Sequence, residues 1–300
     1  MSRTAPSGLL DPAVLARIGD LSLIARTVVE GFMHGLHRAP RLGHSTEFSE
    51  YRPYQPGDDL RRIDWRVFGR TDRYYVKEYE ADTNASVVFA LDVSKSMEFG
   101  SGPVTKLHFA KMLVAALAWF SHRQGDRIGL ILYADTVRTY VPPSTRHLSL
   151  ILHTLERVEA EGAGGGIDAN DSIAELLGRT GVTVFLSDWY ATPEFVQQAL
   201  GKIRVRGHDV VAFHLYDPAE KTLPYPDAAS FQDLETGERL SVVPDTLREQ
   251  YRAAVAAHHQ ALETGLRRTG VDYAAVDTSQ PLDLALYEYL RRREMMERVR

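Results

Sequence analysis

From residue 84 onward, short apolar segments alternate with longer amphipathic ones, and this alternation constrains the fold more than any other feature. We predict strands at residues 86–92, 127–134, 183–187, 209–215 and 272–276. Helices are predicted between and after them, at residues 106–123, 146–159, 170–177, 193–205, 246–268 and 281–293. Because parallel strands need helical crossovers, the pattern predicts an α/β fold with a doubly wound, mostly parallel sheet and helices on both faces.

Two segments interrupt this alternation. Residues 136–142 are predicted to form an edge strand that folds back antiparallel onto the strand at 127–134. The second interruption is a small β-hairpin insert near residues 221–244, where a Thr236-Gly237 turn separates two short strand-like pieces.

The segment before the sheet has a different organisation. Apolar residues recur every three or four positions across residues 12–37, which predicts an amphipathic helix with Asp11 as its N-cap. Residues 38–82 are irregular and hold only short strand-like pieces. We therefore expect an N-terminal helix and arm over residues 1–83 and a sheet domain over residues 84–300.

The composition excludes several classes of protein. The chain has 0 Cys, which excludes a disulfide framework and a thiolate metal site and favours a reducing compartment. A formal net charge of -5 argues against a dedicated nucleic-acid-binding protein. The densest apolar run, residues 112–120, is far shorter than the roughly 20 residues that span a membrane. We expect a cytoplasmic protein without a membrane span.

Candidate site residues follow two of the predicted strands. An Asp-x-Ser-x-Ser motif at the end of the first strand supplies Asp92, Ser94 and Ser96, and Asp188 follows the third strand. Because the carboxyl ends of parallel strands meet at one edge of a sheet, we expect these residues to share a crevice, with Asp92 and Ser94 on its rim. Their oxygen atoms suit Mg²⁺ or Mn²⁺. The alternative is that Asp92 and the serines only satisfy turn amides.

This arrangement resembles the metal-ion-dependent adhesion site of von Willebrand factor A domains. In that site a loop threonine after two glycines supplies a further ligand, and Ile167 stands at the matching position here. An isoleucine cannot coordinate a cation, although Asp168, Asn170 or Asp171 offers an oxygen through a shifted loop. The resemblance therefore implies weak binding of Mg²⁺ or Mn²⁺ at best.

An arginine- and aspartate-rich segment precedes the sheet domain. Six Arg and four Asp lie between Arg52 and Arg73. The planar guanidinium pairs with carboxylates and stacks on aromatic rings, so this composition predicts a polar network. The network is either a buried clasp that holds the arm to the sheet domain or an exposed docking or phosphate-binding surface. The candidate residues are Asp58, Asp59, Arg61, Arg62, Asp64, Trp65, Arg66 and Arg70.

The run from Tyr54 to Trp65, with its Pro-Gly-Asp-Asp, is similar to the domain-of-unknown-function family number fifty-eight, as is the adhesion-site strand that follows. The resemblance covers nearly the whole chain and implies a von Willebrand factor A-like fold. It also implies a MoxR-type AAA+ ATPase as a partner, because members of that family typically accompany such ATPases.

Two functions are compatible with the sequence. The resemblance favours a non-enzymatic protein-binding adaptor that cooperates with the ATPase in assembly or maturation of client proteins. The alternative is a metal-dependent phosphoester hydrolase that uses Asp92 and Asp188. No His-Glu-x-x-His motif or phosphate-cradling glycine loop with its lysine occurs in the sequence, which favours the adaptor. The adjacent His258 and His259 are expected to be solvated surface residues.

Overall fold

The computed structural model describes residues 10–38, 51–53, 74–77, 85–162, 167–178 and 180–289. The chain divides into two compact units, Met1–Phe32 with Ala85–Arg300, and Met33–Asn84. In the smaller unit, β1 (Tyr51–Pro53) pairs antiparallel with β2 (Tyr75–Lys77). The domain division expected between residues 83 and 84 stays a prediction.

The rest of the described chain alternates strands with helices, as the sequence predicts. The first helices are α1 (Pro12–Leu15) and α2 (Leu21–Arg38). The later elements are, in chain order, β3 (Ser86–Asp92), α3 (Lys106–Arg123), β4 (Arg127–Tyr133), β5 (Val137–Ser144), α4 (Leu148–Arg157), α5 (Ile167–Leu176), β6 (Val182–Ser187), α6 (Pro193–Val205), β7 (Asp209–Tyr216), α7 (Pro218–Thr222), β8 (Ala229–Gln232), β9 (Arg239–Val242), α8 (Pro244–Arg268), β10 (Asp272–Asp277) and α9 (residues 282–289).

Six strands form one sheet in the order β10-β7-β6-β3-β4-β5. Neighbouring strands are parallel except β4 and β5, which pair antiparallel at the edge. The predicted doubly wound, mostly parallel sheet and its antiparallel edge are therefore confirmed. The central strands β3 and β6 are buried along almost their whole length, because helices cover both faces of the sheet.

Packing on the two faces follows the side-chain alternation of the strands. On one face, a buried cluster joins Val88 and Ala90 of β3 to Ile173 of α5, Leu200 of α6 and Leu262 of α8. The intervening side chains of β3 point the other way. Helix α3 contacts β3 and β4 from outside this cluster and is buried along most of its length. The site described below lies where α3 begins.

The helix predicted over residues 12–37 is interrupted, so that prediction is wrong in one respect. α1 and α2 are separate because Gly19, between them, has φ +70°, a left-handed conformation that ends a helix. Asp20 then caps α2, since the amide of Leu23 donates to its Oδ1 at 3.0 Å.

The predicted insert is an antiparallel hairpin of β8 and β9. Asp233 begins its turn, and its Oδ1 accepts the amides of Glu235 and Thr236 at 2.8 and 3.2 Å. Gly237 has φ +77°, which favours glycine at that position. The hairpin prediction is therefore confirmed, and the insert lies between α7 and α8 along the chain.

Candidate functional site

Asp92 and Asp188 lie at the carboxyl ends of the neighbouring strands β3 and β6, as predicted. Both are buried, with Asp92 3% and Asp188 4% exposed. The hydroxyl of Ser187 donates a hydrogen bond of 2.6 Å to Asp92 Oδ2. Burial and the neighbouring charge of Asp188 raise the pKa of Asp92 to about 6, although hydrogen bonds from Ser187 and Ser94 oppose the shift. The pKa of Asp92 therefore reflects both its burial and the neighbouring Asp188.

The serines of the motif lie on the turn that follows β3. The amide of Ser94 donates to Asp92 Oδ1 at 2.9 Å, and the hydroxyl oxygens of Ser94 and Ser96 are 3.0 Å apart. The chain then enters a short 3-10 helix, Lys95–Glu98. Asp92 accepts a turn amide, as expected if the motif only stabilises the turn, and the two hydroxyls stay beside it, as expected for a cation site. The turn geometry therefore fits both interpretations of the motif.

The expected position of Asp92 and Ser94 on the crevice rim is wrong. Ser94 is fully buried and Asp92 nearly so, because another segment covers the turn. The amide of Lys95 donates to the carbonyl of Gly162 at 3.1 Å, and the amide of Glu161 donates to the carbonyl of Val93 at 2.7 Å. Asp92 and Ser94 thus form the floor of the site.

A buried lysine that the motif did not indicate completes the site. Lys106 is the first residue of α3 and is 0% exposed. Its Nζ donates to Asp188 Oδ2 at 2.9 Å, to Glu220 Oε1 at 2.5 Å and to Tyr190 Oη at 3.3 Å. Each N–H of the ammonium group therefore has an acceptor. Burial lowers the pKa of Lys106, but Asp188 and Glu220 raise it more, so the pKa lies above its usual value.

One weak sequence signal points to Lys106. A lysine in the first turn of a helix opposes the helix dipole, and acidic residues are favoured there instead. α3 has no acidic residue in its first turn, and most of its residues are apolar and buried. A cation at the start of an apolar helix therefore indicates a partner, although the sequence does not say which.

Glu220 joins the cluster from α7. Its Oε1 also accepts the hydroxyl of Tyr190 at 2.6 Å, and its Oε2 accepts the amide of Asp217 at 2.8 Å in a capping box. Asp217 in turn accepts the amide and hydroxyl of Ser101 at 2.9 and 2.5 Å. These bonds tie the loop after the motif to α7. The Asp-Pro-Ala-Glu capping pattern is visible in the sequence, but the contact with Lys106 is not.

The remaining part of the predicted metal site lies at the start of α5. Ile167 is its first residue, and the side chains of Ile167, Asp168 and Asn170 lie outside those the structure describes. Asp171 is exposed, and its Oδ1 lies 2.8 Å from Nζ of Lys202. Among the described residues, no three His, Asp or Glu side chains are placed to hold a metal ion together.

The predicted polar network of the arm falls on residues 54–73, outside the described ranges. It comprises Asp58, Asp59, Arg61, Arg62, Asp64, Trp65, Arg66 and Arg70. Its assignment as a buried clasp or as an exposed docking surface stays a prediction.

A strained residue follows Asp188. Trp189 has φ +49°, which is rare for a bulky side chain. Its amide donates to the hydroxyl of Ser187 at 3.2 Å, and its indole Nε1 donates to the carbonyl of Phe213 at 3.1 Å. Its carbonyl accepts from His258 Nε2 at 2.9 Å. These bonds hold the backbone at the point where Asp188 turns toward Lys106.

The expectation that His258 and His259 are solvated surface residues is wrong. Both are partly buried, and the ring centroid of His259 lies 4.3 Å from that of the buried His214. Nδ1 of His214 lies 2.6 Å from the hydroxyl of Tyr273. Burial and the neighbouring His258 lower the pKa of His259 to about 4, and burial and His259 lower the pKa of His214 well below its usual value. His214 and His259 are therefore neutral at neutral pH.

An apolar groove of about 560 Å³ opens beside the polar cluster. α7, the β8–β9 hairpin and α8 form its walls, and Phe99 and Glu220 belong to both the groove and the surroundings of Lys106. The wall side chains are mainly apolar and include Leu223, Tyr225, Phe231, Leu240, Leu247 and Tyr251. Such a surface suits apolar side chains of another molecule.

The sheet order and the position of the site define the class of protein. A doubly wound parallel sheet with an Asp-x-Ser-x-Ser turn at a central carboxyl end is the architecture of a von Willebrand factor A-like domain. A family model described as "Protein of unknown function DUF58" matches residues 50–261. The chain belongs to this family.

Similar proteins match almost the whole chain. Uncharacterized protein Rv1480 of Mycobacterium tuberculosis is 30% identical over 292 residues, which are 94% of this chain and 91% of that protein. Uncharacterized protein Mb1516 of Mycobacterium bovis is likewise 30% identical over 292 residues. These relatives share the family with this chain.

Two solved structures are similar to this chain at low identity. An aerotolerance-related membrane protein from Bacteroides fragilis, with multiple mutations to serines, matches with a TM-score of 0.50 and 20% identity, covering 69% of this chain and 99% of that one. BatB from Bacteroides thetaiotaomicron matches with a TM-score of 0.47 and 20% identity, covering 69% and 98%. In the described ranges of this chain, no helix has both the length and the apolar character to cross a bilayer.

Proposed function

We propose that this chain is a non-enzymatic protein-binding adaptor whose binding surface is the apolar groove beside the buried polar cluster. The observation that carries the proposal is that the groove lies directly beside the polar cluster. Phe99 and Glu220 line the groove and also surround the ammonium group of Lys106. An open apolar surface with fixed polar groups at its edge is typical of protein-binding sites.

The extent of the apolar surface favours a protein over a small molecule. Leu240 and Leu247 of the groove wall are 68% and 40% exposed, and Val243, which does not line the groove, is 49% exposed, so the apolar rim extends past the groove. A small ligand would fill the groove and leave this rim in water. A segment of a partner protein covers both, and burial of the rim then adds to the free energy of binding.

The partner expected from the family resemblance is a MoxR-type AAA+ ATPase. In this proposal an apolar segment of the ATPase occupies the groove, and the pair acts in assembly or maturation of client proteins. The adaptor itself hydrolyses neither ATP nor phosphoesters.

No observation in the described residues favours the alternative of a metal-dependent phosphoester hydrolase. Such an enzyme needs carboxylates that face an open position for water and substrate. Asp92 and Asp188 are both buried, and Asp188 is paired with Lys106.

Surface substitutions in the groove test the adaptor. Leu240→Asp and Leu247→Asp each place a carboxylate on the apolar surface, so each should weaken binding to the cognate MoxR-type ATPase. We expect a loss of about tenfold or more in calorimetry, which corresponds to about 1.4 kcal/mol. A coupled assay should show that the wild-type chain alters ATPase turnover and that the variants do so less.

The matched control is Leu150→Asp on α4, where the leucine is 48% exposed and does not line the groove. This variant should bind like the wild type. Equal weakening by all three substitutions would contradict the groove as the binding surface. Phosphoesterase activity in the wild type that disappears in Asp92→Asn would support the hydrolase instead.

A further inference from the structure

We propose that the ammonium group of Lys106 takes the place of the divalent cation in this adhesion-like site, so that the site functions without a metal ion. The resemblance to a metal-ion-dependent adhesion site implies Mg²⁺ or Mn²⁺ beside Asp92, Ser94, Ser96 and Asp188. The positive charge that the described structure holds there belongs to the chain itself.

While Lys106 is in place, the donor set does not fit a divalent ion. Mg²⁺ demands near-octahedral coordination by oxygen ligands, several of them often water. Oδ1 and Oδ2 of Asp92 accept from the Ser94 amide at 2.9 Å and the Ser187 hydroxyl at 2.6 Å. Oδ2 of Asp188 accepts from the lysine ammonium at 2.9 Å. At the usual threonine position, Ile167 offers only hydrocarbon.

The ammonium group supplies what a cation would supply. Lys106 is fully buried, and its charge lies between Asp188 and Glu220 at 2.9 and 2.5 Å. The faces of Tyr190 and Phe99 complete its surroundings, with ring centroids 4.7 and 5.8 Å from Nζ. Because the charge is covalently attached to α3, it does not exchange with ions in solution.

A cation-rescue experiment tests this inference without any partner protein. In Lys106→Ala, Asp188 and Glu220 lose their shared counter-ion, so thermal scanning fluorimetry should show a lower Tm than in the wild type. Millimolar MgCl₂ or MnCl₂ should raise the Tm of Lys106→Ala by several degrees and leave that of the wild type unchanged, relative to NaCl at equal ionic strength. The double variant Lys106→Ala/Asp188→Asn should lose this rescue.

A second measurement does not depend on the stability of any variant. Titration of the wild type with Mn²⁺, followed by electron paramagnetic resonance, should show no saturable site up to millimolar Mn²⁺. Saturable binding to the wild type that is lost in Asp92→Asn would overturn the inference. A folded Lys106→Ala whose Tm responds to neither cation would overturn it as well.

Discussion

The hydroxyl of Ser187 donates a 2.6 Å hydrogen bond to Oδ2 of Asp92, and this bond joins the ends of β6 and β3 at the floor of the site. Both residues are buried, with Ser187 4% and Asp92 3% exposed. The same hydroxyl accepts the amide of Trp189, whose left-handed backbone follows Asp188. One serine therefore bonds both the carboxylate of Asp92 and the backbone that follows Asp188.

Loss of this hydroxyl should destabilise the fold. In Ser187→Ala, a buried carboxylate oxygen of Asp92 loses its donor, which costs about 1–3 kcal/mol. Urea unfolding measures the change. Ser149→Ala is the control, because Ser149 is exposed on α4 and its loss should cost about 0.5 kcal/mol or less. Equal effects of the two substitutions would show that the strand-joining bond does not contribute to stability.

Acid should destabilise the fold through the packed rings of His214 and His259. The pKa of His259 is lowered from 6.5 to about 4 in the folded chain, and that of His214 is also lowered. Below pH 6.5 the unfolded chain binds protons that the folded chain does not, so stability present above pH 6.5 is lost as the pH falls toward about 4. Because His259 is only partly buried, we expect a loss on the order of 1–2 kcal/mol from that residue.

The variant His259→Gln removes this contribution together with the effect of His259 on the pKa of His214. Its unfolding free energy, measured by urea titration at several pH values, should fall less between pH 6.5 and about 4 than that of the wild type. The raised pKa of Asp92 makes the fold more stable, not less, as the pH falls through this range. Asp92 is present in the wild type and in the variant, so its effect cancels in the difference between their unfolding free energies. Identical pH profiles would contradict a role for His259.

The break between α1 and α2 should depend on the backbone of Gly19. A Cβ at Gly19 would meet no atom within 4 Å, so Gly19→Ala should lower the free energy of unfolding only through the cost of holding a side-chain-bearing residue at φ +70°. That cost is about 1–2 kcal/mol for a residue with a side chain. Gly102 has the same open surroundings without a positive φ, so Gly102→Ala should be neutral within about 0.5 kcal/mol. Thermal unfolding of both variants distinguishes conformational strain from a general effect of added side chains.

Local signals predicted most of the sheet domain. β3, α3 and α6 have the residue ranges that the apolar periodicity predicts, because strand and helix periods and N-caps depend on neighbouring residues. The unbroken helix over residues 12–37 failed for an equally local reason, since its apolar spacing continues across Gly19 while the backbone there does not. The prediction that His258 and His259 are solvated failed for a tertiary reason, because the ring that packs on His259 is that of His214 on β7.

The candidate site likewise has a part that the sequence predicts and a part that depends on the tertiary structure. The sequence by itself determined that Asp92, Ser94, Ser96 and Asp188 would meet, because the carboxyl ends of adjacent parallel strands share one edge of a sheet. Only the tertiary structure decided that the ammonium group of Lys106 would pair with Asp188. Lys106, at the start of α3, meets Glu220 of α7 across 114 residues of sequence. A charge buried this deeply is stable only beside opposite charges, and which ones it meets depends on how the whole chain packs.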